Sequence, residues 1–170
     1  MSLNLDNANG GTFALSKAGL AIGSTASQLS ITTAVVNCID GVYQTNVAAS
    51  ASFPLAVPAQ TRTDPITGAL INIYVYATVA PGQKSAFAVW ADSAQVVTVT
   101  QGPVVNVNSN SDRVSPPPNP GNRVLLGYAT VFNASLVANG GFRPQTDAFN
   151  TAGLTVVYAD CFSFIAKLGL

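Results

Sequence analysis

Ser85-Ala86-Phe87-Ala88-Val89-Trp90-Ala91-Asp92-Ser93-Ala94-Gln95-Val96-Val97-Thr98-Val99-Thr100 is the stretch whose reading decides the fold. Residues 85–90 and 95–100 are two β-prone runs, and Ala91-Ala94 between them has the length and composition of a hairpin loop. Gly102-Pro103 ends the second run, and 104–107 is a short further one. Upstream, residues 70–79 alternate strictly. Ile71, Ile73, Val75, Ala77 and Val79 fall on one face, read as core, and Asn72, Tyr74, Tyr76 and Thr78 on a semi-polar one.

The same grammar continues outward. From Gln28 onward, short β-branched runs alternate with turn residues, the pattern of many regularly spaced strands. Residues 123–132 form a nearly all-apolar run with Gly127 in its middle, and 154–165 form another, so both are expected to be buried on two faces. Val137-Ala138-Asn139-Gly140-Gly141 and Asn150-Thr151-Ala152-Gly153 supply turns, since Asn-Gly and Gly-Gly tolerate positive φ. Helical spacing is absent over any long stretch, leaving room for short helical turns around 16–20. The expectation is an all-β chain: an antiparallel β-sandwich, or a jelly-roll-like or barrel domain, over residues 28–170. Residues 1–27 are read as an extended N-terminal arm and lead-in, because 1–11 are rich in Asn and Gly without a period. Residues 108–122 carry Pro116-Pro117-Pro118-Asn119-Pro120, which cannot donate ladder bonds at the prolines and favours polyproline II, so they are expected to form an exposed loop.

Charge is scarce. The 170 residues hold seven Lys/Arg and seven acidic residues, all of them Asp, with no His. Charged residues make up 8% of the chain, against about 25% in an ordinary soluble domain. Mean hydropathy is +0.36 and the formal net charge is zero. A surface so poor in ions is expected to be packed against something. The basic residues are scattered from Lys17 to Lys167, so nucleic acid has no patch to bind. No long uncharged apolar stretch reads as a membrane span, and the opening residues lack the pattern of a secretory signal, so the chain is expected to be made in a cytoplasm.

Most catalytic chemistry is missing with the His and Glu. A Ser or Cys nucleophile lacks its usual base, and zinc would have to be built from Cys38, Cys161 and scattered Asp. Cys38 and Cys161 sit in apolar runs without metal-knuckle spacing and are expected to be buried free thiols. Asp40, Asp64, Asp92, Asp112, Asp147 and Asp160 could pair for glycoside hydrolysis, but five of them adjoin Gly, Pro, Ser or Thr, where an Asp caps a turn. No enzyme activity, cofactor or metal is expected. Tyr74, Tyr76 and Trp90 invite a binding reading, either as sugar-stacking platforms or as aromatics packed under a neighbouring subunit; subunit packing is the favoured one.

Several segments together resemble a known group. Leu15-Ser16-Lys17-Ala18-Gly19-Leu20-Ala21-Ile22-Gly23-Ser24-Thr25-Ala26-Ser27, followed by Val36-Asn37-Cys38-Ile39-Asp40-Gly41-Val42-Tyr43, is similar to the start of head decoration or cement proteins of tailed bacteriophages. Leu126-Gly127-Tyr128-Ala129-Thr130-Val131 and Phe149-Asn150-Thr151-Ala152-Gly153-Leu154-Thr155-Val156-Val157-Tyr158 extend the resemblance. The Pro-rich insert at 115–121 is not part of it. The resemblance implies a non-enzymatic virion protein, made in the bacterial host, that binds the outside of the capsid as a trimer at three-fold or quasi-three-fold positions and stabilises it. Its partners would be the major capsid protein and sister copies. On this reading the Asn-rich start, with Leu3, Asn4, Leu5, Asn7 and Asn9, is the capsid-contact arm. The alternative is a tail-fibre or adhesin-type domain that binds carbohydrate or a receptor.

Overall fold

The computed structural model describes residues 12–58, 61–107, 114–117 and 120–161, with 42–46 given by their backbone alone. The expected hairpin forms. Its first arm is β9 (Gln83–Ala91) and its second β10 (Val97–Gln101), paired antiparallel with Ala91 opposite Val97 and Phe87 opposite Gln101. The loop, residues 92–96, starts one residue and ends two residues later than the sequence suggested. Asp92 closes it by accepting the amide N–H groups of Ala94 and Val96 on Oδ1, each at 2.9 Å, and Gln95 takes the left-handed backbone at φ 65°.

The strands before this hairpin are β1 (Phe13–Ala14), β2 (Leu20–Ile22), β3 (Leu29–Ile31), β4 (Val35–Ile39), β5 (Val42–Val47), β6 (Ser50–Phe53), β7 (Thr61–Thr63) and β8 (Leu70–Asn72). After it come β11 (Val105–Asn106), β12 (Val124–Asn133) and β13 (Leu154–Asp160). All named pairings are antiparallel. The main sheet runs β10-β9-β12-β13 with β11 also on β9, and the N-terminal strands form two smaller sheets, β1-β4-β5 and β2-β3-β6. β1, β2 and β4 lie against β12, and β2 also meets β13, which makes a sandwich. Between the layers, Leu29, Ile31, Val35, Ile39 and Val47 meet Phe87, Val89, Val99, Leu126 and Val131 in one cluster. Phe87 stands edge-on to Phe142 and Phe149, with ring centroids 6.4 Å apart in both pairs.

β9 carries the heart of the core, buried on both faces from Ser85 to Ala91. β12 is buried on one face and half-buried on the other. Its irregularity falls at Leu125/Gly127, where a Cβ on Gly127 would run into the Ala159 carbonyl and the Leu20 side chain, so only glycine lets β2 cross here. β13 departs from the sequence reading. It was expected to be buried on both faces, but it is an edge strand whose residues alternate between half-buried and exposed.

Two further expectations are corrected. Residues 16–20 hold no helical turn: Ser16 Oγ accepts the Val36 N–H at 3.0 Å, Ala18 C=O accepts Thr33 N–H, and Gly19 turns at φ 61°, so the segment is spent on bridging strands. A 3-10 turn occurs instead at Ala138–Gly140. The alternating run 70–79 is a strand only as far as Asn72, whose Oδ1 accepts the Tyr74 N–H at 3.0 Å and breaks the ladder. Its supposed core face is then the exposed one: Ile71, Ile73 and Val75 are 38%, 45% and 74% exposed, and Val79 alone of that row is fully buried. In the Pro-rich segment, Ser115, Pro116, Gly121 and Asn122 are exposed, but Pro117 and Pro120 are buried. Ser115 and Pro117 press on Gly102, leaving no room there for a side chain. Pro117 and Pro120 thus pack inward within a segment whose other described residues are largely exposed. Residues 108–113 and 118–119, like the arm 1–11, lie outside the described residues.

Candidate interaction surface

The carboxylates do structural work. Asp64 accepts Ile66 N–H and the Thr67 hydroxyl, and the Thr67 bond holds its carboxyl below the usual range. Asp92 closes the β9–β10 loop, Asp40 turns the chain at φ 51°, and Asp160 accepts the Leu20 N–H at 3.0 Å. Asp147 is gripped by Arg143 through Nη2 at 2.9 Å, Nε at 3.3 Å and the backbone N–H at 2.7 Å, which lowers its pKa. A shallow pocket of about 270 Å³ lies beside that pair, lined by Leu136, Ala138, Asn139, Thr146, Asp147 and Thr151. Its one carboxylate is ion-paired with Arg143, and Thr151 Oγ1 donates to the Ala148 carbonyl.

Both cysteines are free, as expected, but half-buried rather than buried. Burial, then the Asp160 charge, raises the Cys161 thiol above its ordinary range. Among the described residues no three His, Cys, Asp or Glu side chains come together as a metal site, and no helix is long and apolar enough to cross a membrane.

The three aromatics do not form one surface. Trp90 is 4% exposed, with its indole N–H donated to Thr100 Oγ1 at 2.7 Å, so it presents no face to a neighbouring subunit or a sugar. Tyr76 turns its ring toward Phe87 and its hydroxyl to the Val99 carbonyl at 2.9 Å, and burial pushes its phenol up. Tyr74 is half-buried beside them in sequence. A ring with a hydroxyl that can reach a carbonyl competes well for a core site, which alternation alone does not reveal. Leu3, Asn4, Leu5, Asn7 and Asn9 lie outside the described residues.

Two other surfaces stand out, and neither was singled out from the sequence. The first is the β7–β8 hairpin, paired only with itself and exposed along both strands. It carries Ile66 at 92% and Leu70 at 72% exposure, continuing into Ile73 and Val75, and Arg62 and Asp64 are the charged residues of 61–78. A lone two-stranded ribbon is marginal in water, and soluble monomers rarely expose a contiguous apolar patch above a few hundred Å². The second is the outer face of β12 and β13. Burial fades across the main sheet from Trp90 and Thr100, through half-buried Leu125, Tyr128 and Thr130, to exposed Thr155, Val157 and Ala159. That exposed end carries no charge. The signal for both surfaces was in the sequence as low charge, but which runs would be left uncovered depended on strand order.

Compared with known proteins, the chain matches no protein family, no curated protein and no solved structure.

Proposed function

We propose that this chain is a structural virion protein of the head-decoration or cement type, which binds the outside of a bacteriophage capsid as a trimer and stabilises it. The observation that carries this reading is the charge-poor apolar surface left open by the fold, above all Ile66 and Leu70 on a hairpin that pairs with no other strand among the described residues, and Ile73 and Val75 just after it. Burying one such side chain returns about 1.5–3 kcal/mol, and a stable interface needs about 800 Å² from each partner. The hairpin and the β12–β13 face both present apolar side chains with few ions to strip of water. A scaffold of this kind works by contact alone. Each copy bridges neighbouring capsid subunits, and the bonds it adds must be broken before the shell can open. The arm, residues 3–11, is assigned the capsid contact, since an Asn-rich segment can order along a surface and satisfy its amides there.

Co-sedimentation tests this directly. The purified chain is mixed with expanded phage heads stripped of their outer proteins, and the temperature at which the heads open is followed in parallel. The expected result is saturable binding and a raised opening temperature; a chain that stays in the supernatant and leaves the heads unchanged would overturn the proposal.

A further inference from the structure

The free edge of β13 is built to accept one more strand, and the geometry points to residues 162–170 of a second copy as that strand. Ala134 N–H donates to Gly153 C=O at 2.8 Å and Cys161 N–H to Leu126 C=O at 2.9 Å, which fixes the odd-numbered residues of β13 as those bonded to β12. Leu154, Val156, Tyr158 and Asp160 therefore turn their backbone groups outward. Leu154 N–H is taken by Thr151, and the Asp160 end is approached by Leu20 of β2. The outward N–H and C=O groups of Val156 and Tyr158 have no backbone partner among the described residues. The opposite edge of the same sheet is treated differently: Val99 N–H on β10 donates to Ala56 C=O, and Gln101 exchanges two bonds with Ala77.

A second observation lies on the side chains. Leu154, Val156 and Tyr158 face the core, yet they are only partly buried, and no described strand flanks them beyond β13. This unfinished row of core needs an apolar strand alongside it. Residues 162–170 read Phe162-Ser163-Phe164-Ile165-Ala166-Lys167-Leu168-Gly169-Leu170, with Phe162, Phe164, Ala166, Leu168 and Leu170 at period two, the pattern of a strand with one apolar face. Cys161 leaves β13 still bonded to β12, so in its own chain the segment would have to reverse at once to pair with β13. It has no Asn, Asp, Pro or Gly before Gly169 to make that reversal. A neighbouring copy has no such constraint. Strand addition from one copy to the next is a head-to-tail contact, which closes into a ring when the rotation allows. The inference deepens the self-association part of the proposed function, and rests on that reading only for the ring being three-membered.

The test compares the full chain with a chain ending at Cys161 and with full-length Val156→Pro, which removes an outward N–H but no bond to β12. Light scattering after gel filtration reads the oligomer, and hydrogen exchange reads the amides of Val156 and Tyr158. The full chain is expected to be oligomeric with those amides protected. Both variants are expected to be monomeric, with at least about tenfold faster exchange at Tyr158 in each, and at Val156 in the shortened chain, and unchanged protection in β9; a synthetic 162–170 peptide should restore protection in the shortened chain. If shortening prevents folding, Val156→Pro decides. An oligomer that persists in the folded variants, or protection of the two amides within a monomer, overturns the inference and leaves the capsid reading standing. Loss of head binding by an intact oligomer does the reverse.

Discussion

Asn37 and Asn133 are both fully buried amides, and they stand in opposite states. Asn133 at the end of β12 donates to the Val79 and Leu136 carbonyls at 2.8 and 3.0 Å and accepts the Leu136 N–H at 2.7 Å, so one side chain fastens the 134–153 loop to the sheet. Asn37 on β4 shares the core-facing row of Val35 and Ile39, and among the described residues neither its Nδ2 nor its Oδ1 has a hydrogen-bond partner. Asn133→Ala is expected to cost about 2–3 kcal/mol, because it orphans buried groups, whereas Asn37→Leu is expected to gain about 1 kcal/mol. Denaturant unfolding of the two variants checks both signs, and equal losses would refute the contrast. The Arg143–Asp147 pair gives a pH dependence. The folded carboxyl titrates below its unfolded value, so the pair stabilises fully above about pH 4, the ordinary Asp range, and loses its contribution as pH falls through the lower folded value. Replacing Asp147 with Asn should flatten the acid limb of the stability curve, by a small amount because Arg143 is well exposed.

At the scale of elements, the β12 bulge and the β7–β8 hairpin make opposite demands. Gly127→Ala forces a methyl against the Ala159 carbonyl and Leu20 and is expected to lower stability by about 2 kcal/mol, measured by the same unfolding. Ile66→Ser with Val75→Ser touches only exposed positions, so stability should stay within about 0.5 kcal/mol while occupancy on heads falls. A double variant that binds heads normally would remove the hairpin from the interface. The strands themselves were legible in the sequence: the β9–β10 hairpin, β11 and β12 lie where β-branched runs and turn residues put them. Faces were less legible. Residues 70–79 have perfect alternation, but period fixes only which residues share a face, and the direction of that face is chosen by what the chain meets in space. Here Tyr76 reaches Val99 and takes the inward position, which turns Ile73 and Val75 out. β13 reads as apolar as a central strand because the sequence does not carry the strand order that makes it an edge.

The whole molecule is an all-β sandwich whose core is closed on the β9–β10 side and open along β13 and the β7–β8 hairpin. The scarcity of charge announced such openness, since a chain with 8% charged residues cannot clothe every face in ions. Where the openings fall was not readable, because strand order decides which strands lie at an edge. On the proposed function, these openings belong to a subunit whose surface is completed by its neighbours on a shell. Copy number is the most direct test of that claim. Electron cryomicroscopy of purified phage particles that contain this chain, with quantitative mass spectrometry of the same preparation, counts and places it. The account predicts symmetric density over the whole head and a copy number in keeping with the capsid lattice; a handful of copies confined to the tail would contradict it.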